Sequence, residues 1–161
     1  MPTVTVAVLT VSDSTVRGTR EDLSGPALAA RCEELGWPVV ARAVVPDDMA
    51  AIYGAIVRWA DAQAATLILT TGGTGVAKRD VTPEATLRAV ERQIPGMAEL
   101  MRLEGRAQTK FSILSRAVVG SRGSSLVVNL PGSPQGAVFS LNLIAGHIPH
   151  VTDLLAGRTG H

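Results

Sequence analysis

The sequence predicts an α/β fold, a three-layer sandwich with a mostly parallel sheet and helices on both faces, and three observations carry that prediction. Short runs rich in Val, Leu and Ile alternate along the chain with segments whose apolar residues recur every three or four positions. Several runs are apolar at successive positions and not at every second one, as strands covered on both faces are. The 161 residues are 46% hydrophobic but only 3% aromatic, enough for one core of Val, Leu, Ile and Ala, so a single domain over residues 1–161 is expected.

Residues 3–11 read as the first strand, which ends at Ser12-Asp13-Ser14. The polar stretch 15–23, with Arg17, Arg20, Glu21 and Asp22, reads as a mobile loop. Ser24 is placed to cap a helix whose stripe is Leu28, Cys32 and Leu35, with Gly36 and Pro38 stopping it. A second strand over 39–45 turns at Pro46-Asp47-Asp48 into a helix bearing Met49, Ile52, Tyr53, Ile56, Val57 and Ala60 on one face. The third strand, 66–70, enters the glycine-rich turn Thr71-Gly72-Gly73-Thr74-Gly75. Thr82-Pro83-Glu84 then supplies an N-cap, a first-turn proline and a first-turn acid for a helix that breaks at Pro95-Gly96. Another helix is expected over 97–104.

Val118-Val119 and Leu126-Val127-Val128, separated by residues 120–125, read as a hairpin or a pair of neighbouring strands. Residues 129–134, with Pro131, Gly132 and Ser133, form a second strand-to-helix loop. A helix lined by Val138, Leu141 and Ala145, an amphipathic piece over 149–155 and a frayed tail over 156–161 complete the chain. Right-handed crossovers between parallel strands put successive strand ends on one rim, where ligands of such sheets bind. Four loops should meet there: Ser12-Asp13, Pro46-Asp47-Asp48, residues 71–80, and Pro131-Gly132-Ser133.

Composition excludes several functions. A net charge of +1 and few aromatics leave neither a basic face nor stacking platforms for nucleic acid. Cys32 is the sole cysteine, which rules out a disulfide framework and a cysteine zinc cluster and reads as a small core residue in a reducing cytoplasm. No signal-peptide pattern precedes the first strand, and no apolar run approaches the ~20 residues of a membrane span. A cytoplasmic protein without a membrane anchor is the expectation.

The glycine turn is of neither common phosphate type. A Walker loop needs glycine directly before its lysine, but Ala77 precedes Lys78; the dinucleotide fingerprint would need its third glycine at Lys78. Gly72, Gly73 and Gly75 still let main-chain N–H groups approach a ligand closely, and Thr71 and Thr74 add hydroxyls. Asp13, Asp47 and Asp80 each follow a strand end, and carboxylates gathered on one rim repel unless a cation sits among them. Magnesium, which takes one or two carboxylates and completes its shell with water and phosphate, answers that need. Serine-nucleophile chemistry lacks a partner, because His147, His150 and His161 lie at the C-terminal end.

Seven motifs in order then carry a resemblance: Thr10-Val-Ser-Asp-Ser14, Val45-Pro-Asp-Asp48, Leu69-Thr-Thr-Gly-Gly-Thr-Gly75, Arg79-Asp-Val-Thr-Pro-Glu-Ala85, Pro95-Gly-Met97, Leu114-Ser-Arg116 and Asn129-Leu-Pro-Gly-Ser133. Together the chain resembles the molybdenum cofactor biosynthesis family that includes molybdopterin adenylyltransferase and the corresponding domain of gephyrin. The resemblance implies a molybdopterin-binding fold, commonly a homotrimer, that converts ATP and molybdopterin to adenylyl-molybdopterin and pyrophosphate with magnesium. It puts the essential, metal-holding carboxylates at Asp47 and Asp80, the nucleotide and pterin loop at residues 72–75, and further contacts at Ser115, Pro131, Gly132 and Ser133. It also implies hand-over of the product to a molybdenum-insertion protein. The alternative within the family is a non-catalytic pterin-binding or scaffold protein. Val76 stands where many relatives have proline.

Overall fold

The alternation of apolar residues along each central strand splits the core into two layers, one on either face of the sheet. The structure, a computed structural model, describes residues 4–160. Among these the strands are β1 (Val6–Val11), β2 (Val39–Val45), β3 (Leu67–Thr71), β4 (Arg92–Gln93), β5 (Val119–Arg122) and β6 (Ser125–Leu130), in the order β2-β1-β3-β6-β5-β4. Neighbours β2, β1, β3 and β6 are parallel, whereas β5 pairs antiparallel with both β6 and β4. The helices are α1 (Asp13–Val16), α2 (Ser24–Glu34), α3 (Met49–Asp61), α4 (Thr82–Ala89), α5 (Pro95–Glu104), α6 (Pro134–Ile144) and α7 (Ile148–Leu155).

Val6 and Val8, Leu67 and Leu69, and Leu126 and Val128 point to one side, against α2, α5, α6 and α7 through Leu28, Met101, Leu141 and Ile148. Ala7 and Leu9, Ile68 and Val127 point to the other, against α3 and α4 through Ile52, Ile56, Ala85 and Ala89. The expected three-layer, mostly parallel sandwich is thus what the chain forms. Cys32 lies in the first layer, where burial pushes its thiol up to about 12 and leaves it an inert apolar side chain. No helix among the described residues is long and apolar enough to cross a membrane.

The structure corrects the reading at several places. The helix expected to run as far as Pro95-Gly96 ends at Ala89, and β4 follows within that stretch, its two residues too few and too polar to show an apolar alternation. The two late β runs are joined as a hairpin through Gly123 and Ser124, with Gly123 at φ +55°. Ser24 does not cap α2; Asp22 does the work, its Oδ1 accepting from the Gly25 N–H at 3.0 Å. Thr82 likewise caps nothing and is fully buried, its hydroxyl spent on the glycine turn. The stretch read as a mobile loop begins as α1 and is tied back, with Thr19 N and Arg20 N donating to the Ser14 carbonyl and Thr10 Oγ1 donating to Asp22. Residue 3 of the first expected strand and residue 161 of the expected tail lie outside the described residues; Arg158 folds back onto Asp153 at 2.9 Å.

A buried amide sets the spacing of the layers below the site. Asn129 on β6 is fully buried; its Nδ2 donates to Thr70 Oγ1 on β3 and Thr86 Oγ1 on α4, both at 2.9 Å, and its Oδ1 accepts from the Val118 N–H at 3.0 Å. Three elements are therefore referenced to one side chain. Asn129→Ala is expected to destabilise the protein by about 3 kcal/mol, because the Val118 N–H and two threonine hydroxyls lose their partners out of reach of water; equilibrium urea unfolding measures it.

Candidate active site

Each parallel strand ends at the same rim, and what the chain does next there builds the site. After β1, Ser12 caps α1 by accepting from the Thr15 N–H, and Asp13 takes the first position of that helix. After β2, Asp48 caps α3 by accepting from the Ala51 N–H at 2.9 Å, which leaves Asp47 for another task. Asp47 and Asp13 exchange main-chain hydrogen bonds: the Asp13 N–H donates to Asp47 Oδ2 at 3.1 Å and the Asp47 N–H donates to Asp13 Oδ1 at 2.8 Å. Burial pushes the Asp47 carboxyl above its ordinary range; the hydrogen bond from Asp13 N–H and the charge of Arg79 hold it down, and the negative charges of Asp13 and Asp80 add to the rise.

The glycine turn lies directly against this pair. Gly72 and Gly73 have φ of +103° and +70°. A Cβ at Gly72 would strike the Val11 carbonyl, and one at Gly73 would strike Thr82 Oγ1 and lie 3.1 Å from Asp47 Oδ1. The turn is held from behind, with Thr82 Oγ1 donating to the Gly72 carbonyl at 2.9 Å and the Thr82 N–H donating to the Gly73 carbonyl at 3.2 Å. Thr71, expected to offer its hydroxyl to a ligand, donates it instead to the Pro131 carbonyl at 2.7 Å, because that contact ties the glycine turn to the Pro131-Gly132-Ser133 loop. The carboxylate of Asp80 folds back so that Oδ2 accepts from the Ala77 N–H at 3.0 Å. A Cβ at Gly75 would sit 2.8 Å from that oxygen, so a side chain at 75 would displace the Asp80 carboxylate.

Two cavities result. The first, of about 440 Å³, is lined by Ser12, Asp13, Asp47, Thr71, Gly72, Gly73, Arg79, Asp80, Gly132 and Ser133, so most of the expected site residues do converge. The second, of about 320 Å³, takes Thr74, Gly75, Ser115 and Pro131 with Met101, Phe111 and Leu114. Ser133 borders both, with its Oγ accepting from the Gly136 N–H as the cap of α6. Ser115 is therefore separated from the carboxylates; its hydroxyl accepts from the Ala117 N–H at 3.2 Å. Arg20, Ser14 and Asp22 also line the first cavity, which their sequence does not signal as a site, because arginines scattered in a polar stretch have no pattern and only the path of the chain after β1 carries Arg20 to the rim.

A parallel sheet whose carboxyl edge holds glycine turns, main-chain N–H groups and facing carboxylates defines an α/β protein that binds small phosphorylated ligands. The family described as "Probable molybdopterin binding domain" matches residues 7–150, and the chain belongs to that family. Molybdopterin adenylyltransferase of Helicobacter pylori is 37% identical over 160 residues, covering 98% of this chain and 91% of that protein. Molybdenum cofactor synthesis protein cinnamon of Drosophila melanogaster is 37% identical over 156 residues, but the chain spans only 26% of its length. The crystal structure of the molybdopterin biosynthesis enzyme MoaB of Thermus thermophilus superposes with a TM-score of 0.90 at 45% identity, covering 96% of this chain and 97% of the other.

The raised Asp47 carboxyl has a stability consequence. Because its folded-state pKa lies above the unfolded one, ionising Asp47 opposes folding at neutral pH, and the penalty fades as pH falls and the group protonates in both states. Asp47→Asn keeps an oxygen for the Asp13 N–H, so without metal the variant should melt at or above the wild-type temperature near pH 8. That advantage should shrink toward zero by about pH 3, as followed by thermal unfolding across the pH range.

Proposed function

We propose that the chain is a molybdopterin adenylyltransferase, joining the adenylyl group of ATP to molybdopterin with release of pyrophosphate. The observation that carries this reading is the placement of Asp47 and Asp80 around one cavity with the Gly72-Gly73 turn against Asp47. The family and the adenylyltransferase relative of nearly equal length support the activity. In the reaction a phosphate oxygen of molybdopterin attacks the α-phosphorus of ATP, the bond to the β-phosphate breaks, and pyrophosphate leaves with the electron pair. Such chemistry asks mainly for positioning and for neutralisation of charge.

Gly72 and Gly73 of the glycine turn line the first cavity together with Arg79 and Arg20, a lining that suits a triphosphate. The second cavity, with Met101, Phe111 and Leu114 beside Ser115, suits a flat ring, and Ser133 stands where the two substrates would meet. The residues also fit a magnesium ion. Among the described residues no group of three or more His, Cys, Asp or Glu is disposed to hold a metal. Two acids whose charges oppose one another suit an ion that takes one or two carboxylates and fills its shell with water and phosphate. Asp47 and Asp80 would hold it, and when bound it neutralises charge on the phosphates and the departing pyrophosphate.

A homotrimer is part of the same reading, for which the exposed Leu103, Phe111 and Ile113 supply apolar surface. A cytoplasmic location and hand-over of the product to a molybdenum-insertion protein complete it. Asp80→Asn and Asp47→Asn should each retain the fold and lose ~10²- to 10³-fold in turnover, the usual cost of removing a preorganised charged group. Pyrophosphate release with ATP, molybdopterin and magnesium is the measurement, and chelation by EDTA should silence the wild type; full turnover in either variant removes the assignment.

A further inference from the structure

Arg116 lies outside the first cavity, yet its hydrogen bonds close around the loop that delivers Asp80. Its main-chain N–H donates to the Thr74 carbonyl at 2.8 Å and its Nε to the Gly75 carbonyl at 2.7 Å. Its Nη2 donates to the carbonyl of Asp80 itself at 2.7 Å. Nη1 completes the set on both carboxylate oxygens of Glu84, at 2.9 and 3.0 Å, in the first turn of α4. One guanidinium thus pins the start of the Gly75-to-Asp80 excursion, its end, and the helix that follows.

We propose that Arg116 is a positioning residue for Asp80, holding the loop so that Asp80 keeps its place in the lining of the first cavity; this rests on the reading of Asp80 as a metal-holding acid. Inside the excursion itself the described main-chain closure is the Asp80 N–H on the Ala77 carbonyl at 3.0 Å and the Ala77 N–H on Asp80 Oδ2 at 3.0 Å. Two local bonds do not anchor the loop to the sheet. The fork ties it instead to α4 through Glu84, a planar group with donors in fixed directions reaching two carbonyls and a carboxylate at once. The ion pair is open to solvent, with Arg116 39% and Glu84 41% exposed, so it adds little to overall stability and its effect is one of geometry. Arg116 also directly follows Ser115, which lines the second cavity.

Arg116→Lys keeps the charge and loses the fork. It should melt within a few degrees of wild type and lose between ~10- and ~100-fold in kcat with KM for molybdopterin changed less than about twofold, as expected when a reacting group is misplaced without loss of substrate contacts. Amide hydrogen exchange at Ala77 and Asp80 should rise about tenfold in the ligand-free protein. Glu84→Gln, which removes the anchor of the guanidinium, should shift both readouts in the same direction by less, and decides the matter should Arg116→Lys fail to fold. Because Arg116 acts through Asp80, the double variant Asp80→Asn with Arg116→Lys should turn over no more slowly than Asp80→Asn alone. Additive losses, unchanged exchange at Ala77 and Asp80, or wild-type kcat in Arg116→Lys overturn the proposal. Full turnover in Asp80→Asn would instead remove the role of the acid, and the exchange result alone then judges the clamp.

Discussion

Two acids that each accept the other's main-chain N–H hold this site together. The exchange between Asp13 and Asp47 ties the loop after β1 to the loop after β2, immediately beyond the paired ends Val11 and Val45. It occupies one oxygen of each carboxylate and brings Asp47 Oδ1 against the glycine turn. Carboxylates this close would push apart if each had only the other's charge to answer; main-chain dipoles make the arrangement tolerable, and burial leaves Asp47 reluctant to ionise. Such an arrangement favours an added cation, which is the physical link between the fold and the phosphate chemistry assigned to it.

The glycine turn depends on that pair and in turn limits it. With positive φ at Gly72 and Gly73, the chain passes between the Val11 carbonyl, Thr82 Oγ1 and Asp47 with no room for a methyl group. Thr82 serves the turn at the expense of its own helix, which starts without a side-chain cap. Local helix stability is given up for loop position, a trade that is common where a backbone must hold an unusual path beside a ligand.

Division of the rim into two cavities follows from the same contacts. Thr71 binds the Pro131 carbonyl and Gly132 packs against Gly72, so the second strand-to-helix loop closes onto the first between the two hollows. Ser133 remains at the junction. One hollow is lined by charged side chains and the glycine turn, the other by Met101, Phe111 and Leu114, so the two differ in the chemistry they offer.

The layers of the fold were legible in the sequence because burial on two faces leaves a continuous apolar run, as in β1 and β3, and because α3 shows its stripe plainly. The convergence of Asp13, Asp47, Asp80 and the glycine turn was legible too, since parallel connectivity sends strand ends to one edge whatever the side chains are. The short polar β4 left no periodic trace. The caps of α2 and α4 were misread because Ser24 and Thr82 have the right chemistry, and only packing decides whether a hydroxyl serves its own helix or a neighbouring loop. Residue identity alone thus determined the sandwich and the acids at its rim. Tertiary structure alone decided the partners: Asp47 with Asp13 and not with α3, Thr71 with Pro131, Ser115 in a separate hollow, and Arg116 around the Asp80 loop. Each of these joins residues far apart in the chain, and hydrogen-bond choice among such groups is settled by distance and direction after the sheet has formed.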